Sequence, residues 1–127
     1  MNWIALAALN LALAVMTGAF GAHALKARLS AEALGWWQTA VSYHLWHALG
    51  LLALGVLLRI TVTQPALPVQ GINTSATLLQ VGIVIFSGSL YAMALGAPRW
   101  FGAITPIGGL ALIAGWLWLA WCLLRSA

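Results

Sequence analysis

Four long runs of apolar residues, Trp3 to Leu25, Ala40 to Leu58, Ala76 to Ala97 and Pro106 to Leu124, are separated only by short polar breaks. Each is close to the ~20 residues a helix needs to cross a ~30 Å hydrocarbon core. The runs are apolar all round, whereas barrel strands alternate apolar and polar residues over ~10 positions. The rest of the chain cannot supply a soluble surface: 5% of its residues are charged, against about 25% in an ordinary soluble domain. Its mean hydropathy is +1.02. The expected fold is an all-α integral membrane protein, a four-transmembrane-helix bundle with residues 1–127 forming one membrane domain.

The breaks fit this reading. Lys26, Arg28 and Glu32 interrupt the chain after the first run. Ser30 can cap a helix starting at Ala31, with Glu32 favoured in its first turn by the helix dipole. That helix can continue through Trp36 and Trp37 into the second run. Residues 63–75, "TQPALPVQGINTS", read as the longest polar loop, because two prolines and a glycine punctuate them. Thr105 followed by Pro106 reads as an N-cap and first helical residue. Ala22-His23-Ala24 has the small-x-small form of a leader cleavage site. The run before it is too long for a signal core and lacks a basic start, so it reads as a span. Lys26, Arg28 and Arg99 on one side outnumber Arg59 and Arg125 on the other, which places the N terminus outside by the positive-inside rule. A bacterial inner (cytoplasmic) membrane is the expected location. Trp36, Trp37 and Trp100 would form the inner aromatic belt, and Trp3, Trp118 and Trp121 the outer one.

The basic balance, pI near 10.3, comes from scattered bases at helix ends and forms no stripe, so nucleic acid is not an expected partner. The expected partners are the lipid bilayer and other membrane helices, from copies of the chain or a larger complex. Glu32 is the only acid and there is no Asp, which excludes paired-carboxylate catalysis and a Ser-His-Asp triad within the chain. Cys122 stands alone and has no internal disulfide partner. No phosphate loop, nucleophile elbow or zinc-protease motif is present. The chain reads as a non-enzyme, and its sequence requires no cofactor.

"TGAFGAHAL" at 17–25 and "SGSLYAMAL" at 87–95 match at Gly18/Gly88, Ala22/Ala92, Ala24/Ala94 and Leu25/Leu95. Ala- and Leu-rich helices also match by chance. A true duplication would give two helical hairpins related as a parallel repeat about an axis along the membrane normal. Small residues at i+4 spacing mark expected helix-packing stripes: Gly18 and Ala22, then Gly88, Ala92 and Gly96, then Ala111 and Gly115 with Gly108 one turn before.

"SYHLWHAL" at 42–49 places two titratable rings inside the second run. His44 and His47 lie roughly 6 and 10 Å inside the inner boundary at ~1.5 Å per residue. His23 falls near that boundary, and Tyr43, Ser87, Ser89, Tyr91 and Met93 fall in the same half. Unpaired polar groups in hydrocarbon are costly, so these side chains should point into the bundle. Three readings fit the cluster. It can be hydrogen bonding that fixes helix register. It can be a metal or haem site on His23, His44, His47 and Met93, where imidazole with thioether suits copper or haem iron. It can be a path for a proton or small solute.

"GAFGAHAL" at 18–25, "GWWQTAVSYHLWHAL" at 35–49, "FSGSLYAMAL" at 86–95 and "ITPIGGLALIAGW" at 104–116 occur in order along nearly the whole chain. Together they resemble the domain-of-unknown-function 423 family, the YgdD/YwdK-like and transmembrane protein 256-like small membrane proteins. The resemblance implies several membrane helices and no established activity. The positions matching it are Gly18, Gly21, His23, Tyr43, His47, Ser87, Gly88, Ser89, Tyr91, Thr105, Pro106, Gly108 and Gly109. His44 departs from the pattern, which leaves His23 and His47 as the pair the resemblance favours. The expected function is a structural or accessory protein acting through helix packing in a homo-oligomer or larger membrane complex. The alternative is a binding or transport module with an inner-side pocket of His23, Tyr43, His44, His47, Ser87, Ser89 and Tyr91.

Overall fold

The computed structural model describes residues 1–126. Among them there are four long helices and no strands: α1 Trp3–Phe20, α2 Ala31–Ile60, α3 Val69–Ala94 and α4 Phe101–Ser126. A short π-helical segment, Gly21–Leu25, extends α1. Each helix is long and apolar enough to cross a membrane. Neighbours in sequence pack as antiparallel hairpins. Gly55 near the end of α2 lies against Ile4 at the start of α1, and Gly71 at the start of α3 lies against Cys122 near the end of α4. The close pairs are α1 with α2, α2 with α3 and α3 with α4. One core unites them: Trp3 and Ala7, Leu51 and Leu54, Ile72 and Leu79, and Leu112.

One helix start agrees with the sequence reading and two differ. α2 begins at Ala31, where the Ser30 side chain accepts from Ala33 N–H at 3.1 Å, and runs unbroken through Trp36 and Trp37. α3 begins at Val69, so 69–75 is helix rather than loop. Asn73, Thr74, Ser75 and Thr77 fold their side chains back onto carbonyls one turn earlier, which hides their polarity within the helix. α4 begins at Phe101 and Pro106 lies inside it, so Thr105 is no cap. This close to a helix start, a proline removes only one intrahelical bond, and the Thr105 hydroxyl donates to the neighbouring Phe101 carbonyl.

The aromatic belts also differ. Trp3 and Trp37 turn inward and are buried, whereas Trp100, Trp118 and Trp121 face outward. Arg125 lies 4.2 Å over the Trp121 ring. Of the small-residue stripes, Gly18 meets Val41 of α2, and Gly108 and Gly115 meet α3. Ala22 is exposed and Ala92 half-buried. A side chain at Gly88 would meet nothing within 4 Å, so no helix of this chain docks there. Gly96 has φ +106 and serves the turn after α3, a left-handed conformation that favours glycine. Gly82, which the stripes did not include, is the α3 glycine packed against Leu112.

Candidate functional site

α1 and α3 run parallel but do not pack closely; polar side chains bridge them. Trp3 Nε1 donates to Asn73 Oδ1 at 2.8 Å, Asn10 Nδ2 donates to Gln80 Oε1 at 2.9 Å, and Thr17 Oγ1 meets the Tyr91 hydroxyl at 3.0 Å. The first two bridges join residues 70 apart, the offset of the sequence match. Equal depth at that offset is what a parallel repeat requires. A closed two-fold arrangement would also pack α4 against α1, and these helices are not a close pair.

Between the bridges lies a cleft of about 500 Å³, open toward the bilayer. Its walls are Leu6, Leu9 and Leu13 of α1 with Ile83 and Val84 of α3, and its floor carries Asn10, His44, Gln80 and Tyr91. His44 comes from α2 and is 6% exposed. Its Nε2 lies 3.2 Å from Asn10 Oδ1 and its Nδ1 lies 3.3 Å from the Tyr91 hydroxyl.

The donors and acceptors limit this network to two proton arrangements. Asn10 Nδ2 also donates to the Leu6 carbonyl at 2.9 Å, which holds the amide with its oxygen toward His44. An amide oxygen only accepts, so His44 Nε2 carries a proton. In the neutral ring Nδ1 then accepts from Tyr91 O–H, and Tyr91 in turn accepts from Thr17. A ring protonated on both nitrogens reverses the chain. Nδ1 then donates to Tyr91, Tyr91 to Thr17, and Thr17 to the Ala14 carbonyl 3.1 Å away. Both orientations complete every bond from His44 to Thr17. Trp37 braces the inner end: its Nε1 donates to the Thr17 carbonyl at 2.8 Å, and its ring lies 4.7 Å from that of Tyr91. Gly21 makes room for this indole, since any side chain there would overlap it.

The sequence-derived cluster therefore divides. His44 and Tyr91 sit in the cleft floor. Ser87 lines the cleft with its hydroxyl donated to the Ala40 carbonyl at 2.8 Å. Ser89 faces α4 instead, where its hydroxyl meets that of Thr105 at 2.6 Å. His23 is exposed. Tyr43 and His47 face away from the cleft, stacked with ring centroids 5.8 Å apart, and Phe86 and Trp116 flank them. The favoured pair, His23 and His47, is not brought together. Met93 approaches Gly102. Among the described residues no group of three His, Cys, Asp or Glu side chains is placed to hold a metal. Asn10, Gln80 and Trp37 complete the site without having been singled out. Their signal was the 70-residue spacing of Asn10 and Gln80.

His47 has its own geometry. Nδ1 lies 2.8 Å from the Tyr43 carbonyl, which only accepts, so this nitrogen donates and Nε2 presents a lone pair. Beside it Tyr43, Trp46 and Trp116 are exposed on the lipid-facing surface.

The family model described as "Protein of unknown function (DUF423)" matches residues 17–109. A UPF0382 membrane protein of Staphylococcus saprophyticus is 50% identical over 117 residues, 92% of each chain. The UPF0382 membrane protein YwdK of Bacillus subtilis is 41% identical over 91% of this chain and 89% of its own. The UPF0382 inner membrane protein YgdD of Escherichia coli is 38% identical over 80% of this chain and 73% of its own. No solved structure matches. The chain belongs to the DUF423 family of membrane proteins.

Proposed function

We propose that this DUF423 protein is a non-catalytic binding module of the bacterial inner membrane, whose α1–α3 cleft takes up a small molecule dissolved in the bilayer. The whole chain acts as one membrane domain with its N terminus outside. The observation that carries the reading is the cleft itself: polar bridges hold two parallel helices apart across about 500 Å³ of space with a hydrogen-bonding floor. That volume lies within the ~300–1,000 Å³ of small-ligand sites, which are mostly apolar with a few placed polar groups. Native mass spectrometry of protein released from nanodiscs of native membrane lipid tests it. An added small-molecule mass is expected, and Gly88→Leu, which fills the cleft mouth, should remove it. A bare protein mass for both overturns the reading.

A second reading, an accessory subunit or homo-oligomer, draws on a different surface. His47 Nε2 and the Tyr43 hydroxyl have no hydrogen-bond partner among the described residues, and lipid supplies none. A helix from another chain, bringing a donor and an acceptor, would satisfy both. In the same spectra, His47→Leu should then reduce an oligomer or co-released subunit while leaving any cleft ligand in place.

A further inference from the structure

We infer that the cleft ligand is a neutral lipid with an uncharged oxygen, carbonyl or hydroxyl, at the head of a long apolar chain. This rests on the cleft reading and names the ligand class. Charge excludes the first alternatives: no Lys, Arg, Asp or Glu lines the cleft, and both nitrogens of the buried His44 ring are already engaged, so a phosphate or ammonium head would enter without a free counter-charge.

Depth excludes the next. Trp3 and Asn73 mark one end of the bundle. Asn10 and Gln80 lie roughly 10 Å below that rung, and Thr17 roughly 21 Å below it, at ~1.5 Å per residue. The polar floor therefore straddles the middle of a ~30 Å core. A phospholipid head stays at the interface and cannot reach it. Neutral lipids have no such anchor.

Unused hydrogen-bonding capacity then selects the head. Asn10 Nδ2 already has two acceptors, and both His44 nitrogens are engaged. The Ser87 hydroxyl donates to the Ala40 carbonyl. Gln80 uses its oxygen for Asn10, while its Nε2, with two protons, has no acceptor among the described residues. The free group is thus a donor, and it calls for an oxygen on the ligand. The backbone carbonyls of a transmembrane helix are already bonded within that helix, so its main chain would not supply this oxygen.

Two sources share this chemistry, prenylquinones and diacylglycerols, and defined nanodiscs separate them. Phosphatidylcholine discs doped with ubiquinone-10 or with dioleoylglycerol would be loaded with wild-type protein, Gly88→Leu or Gln80→Leu, and bound lipid read by native mass spectrometry. Wild type should retain one neutral lipid from at least one disc type, and the disc type that yields it identifies the source. Gly88→Leu should abolish retention with the fold intact by circular dichroism. Gln80→Leu should weaken retention by about tenfold, the effect of one lost hydrogen bond. Retention of phosphatidylcholine alone, lost in Gly88→Leu, would overturn the ligand class and leave the cleft standing. Retention of either neutral lipid equally by all three proteins would overturn the class as well. No lipid mass on wild type in any disc would overturn both.

Discussion

The α3–α4 and α1–α3 interfaces are built from one chain in one solvent and come out opposite. At α3–α4 the helices meet through glycine. A side chain at Gly108 would strike the Phe86 backbone, one at Gly82 would strike Leu112, and one at Gly115 would come within 2.9 Å of Leu79. At α1–α3 there is no backbone approach, only long side chains reaching across. Lipid provides no hydrophobic drive for helix association, so contact area and hydrogen bonds must set helix spacing. Small residues close one gap and amides and hydroxyls prop the other open. A site therefore forms where the chain declines to pack.

The comparison breaks first at glycine. Gly108→Val should destabilise the protein by about 3 kcal/mol or more, because backbone rather than a flexible side chain stands in the way. Reversible unfolding in mixed micelles measures it. A loss below about 1 kcal/mol would mean that the α3–α4 gap is wider than its glycines indicate. Polar bridges should cost less. His44→Leu strips partners from Asn10 and Tyr91 at once and should cost about 1–2 kcal/mol. A double-mutant cycle of His44→Leu with Tyr91→Phe should show a coupling of about 0.6 kcal/mol. Zero coupling would mean that the two side chains do not act as one network. Trp3→Phe removes only the outermost rung and keeps the buried ring, so about 0.5–1 kcal/mol is expected.

Much of this fold was legible because hydrocarbon leaves so few choices. Four apolar runs of spanning length can only be helices, and the helices contain three of those runs whole and the third up to Ala94. Helix starts were less legible where local chemistry conceals itself. Thr74 and Ser75 look like loop residues until their hydroxyls are seen bonded to Gln70 and Gly71. Pro106 looks like a start because proline is favoured at the first helical position, yet it lies beyond the first turn of α4. The site was legible only in part. His44 and His47, three apart, differ by about 60° around the helix at ~100° per residue. That is enough to send one into the cleft and the other toward Trp116. Composition identifies such polar residues as unusual, but only the packing decides which of them meet. Asn10 and Gln80 carried no motif, and what made them partners was equal depth on parallel helices.

The smallest stability change should accompany the largest change in binding, at Gly88. This residue lies within α3 on the cleft side, and a side chain there would meet nothing within 4 Å. A glycine in a helix interior costs about 1 kcal/mol relative to alanine, so Gly88→Ala should leave stability unchanged or raise it by up to about that amount. Gly88→Leu should do much the same while filling the cleft mouth. Had Gly88 been a docking position like Gly108, both substitutions would be destabilising in the same unfolding assay, and increasingly so with size. A flat or rising stability from Gly to Ala to Leu, with bound lipid falling along the same series, would place Gly88 with the open interface. It would also give a physical reason for tolerating a helix-weakening residue there: what occupies the space beside it is not part of this chain.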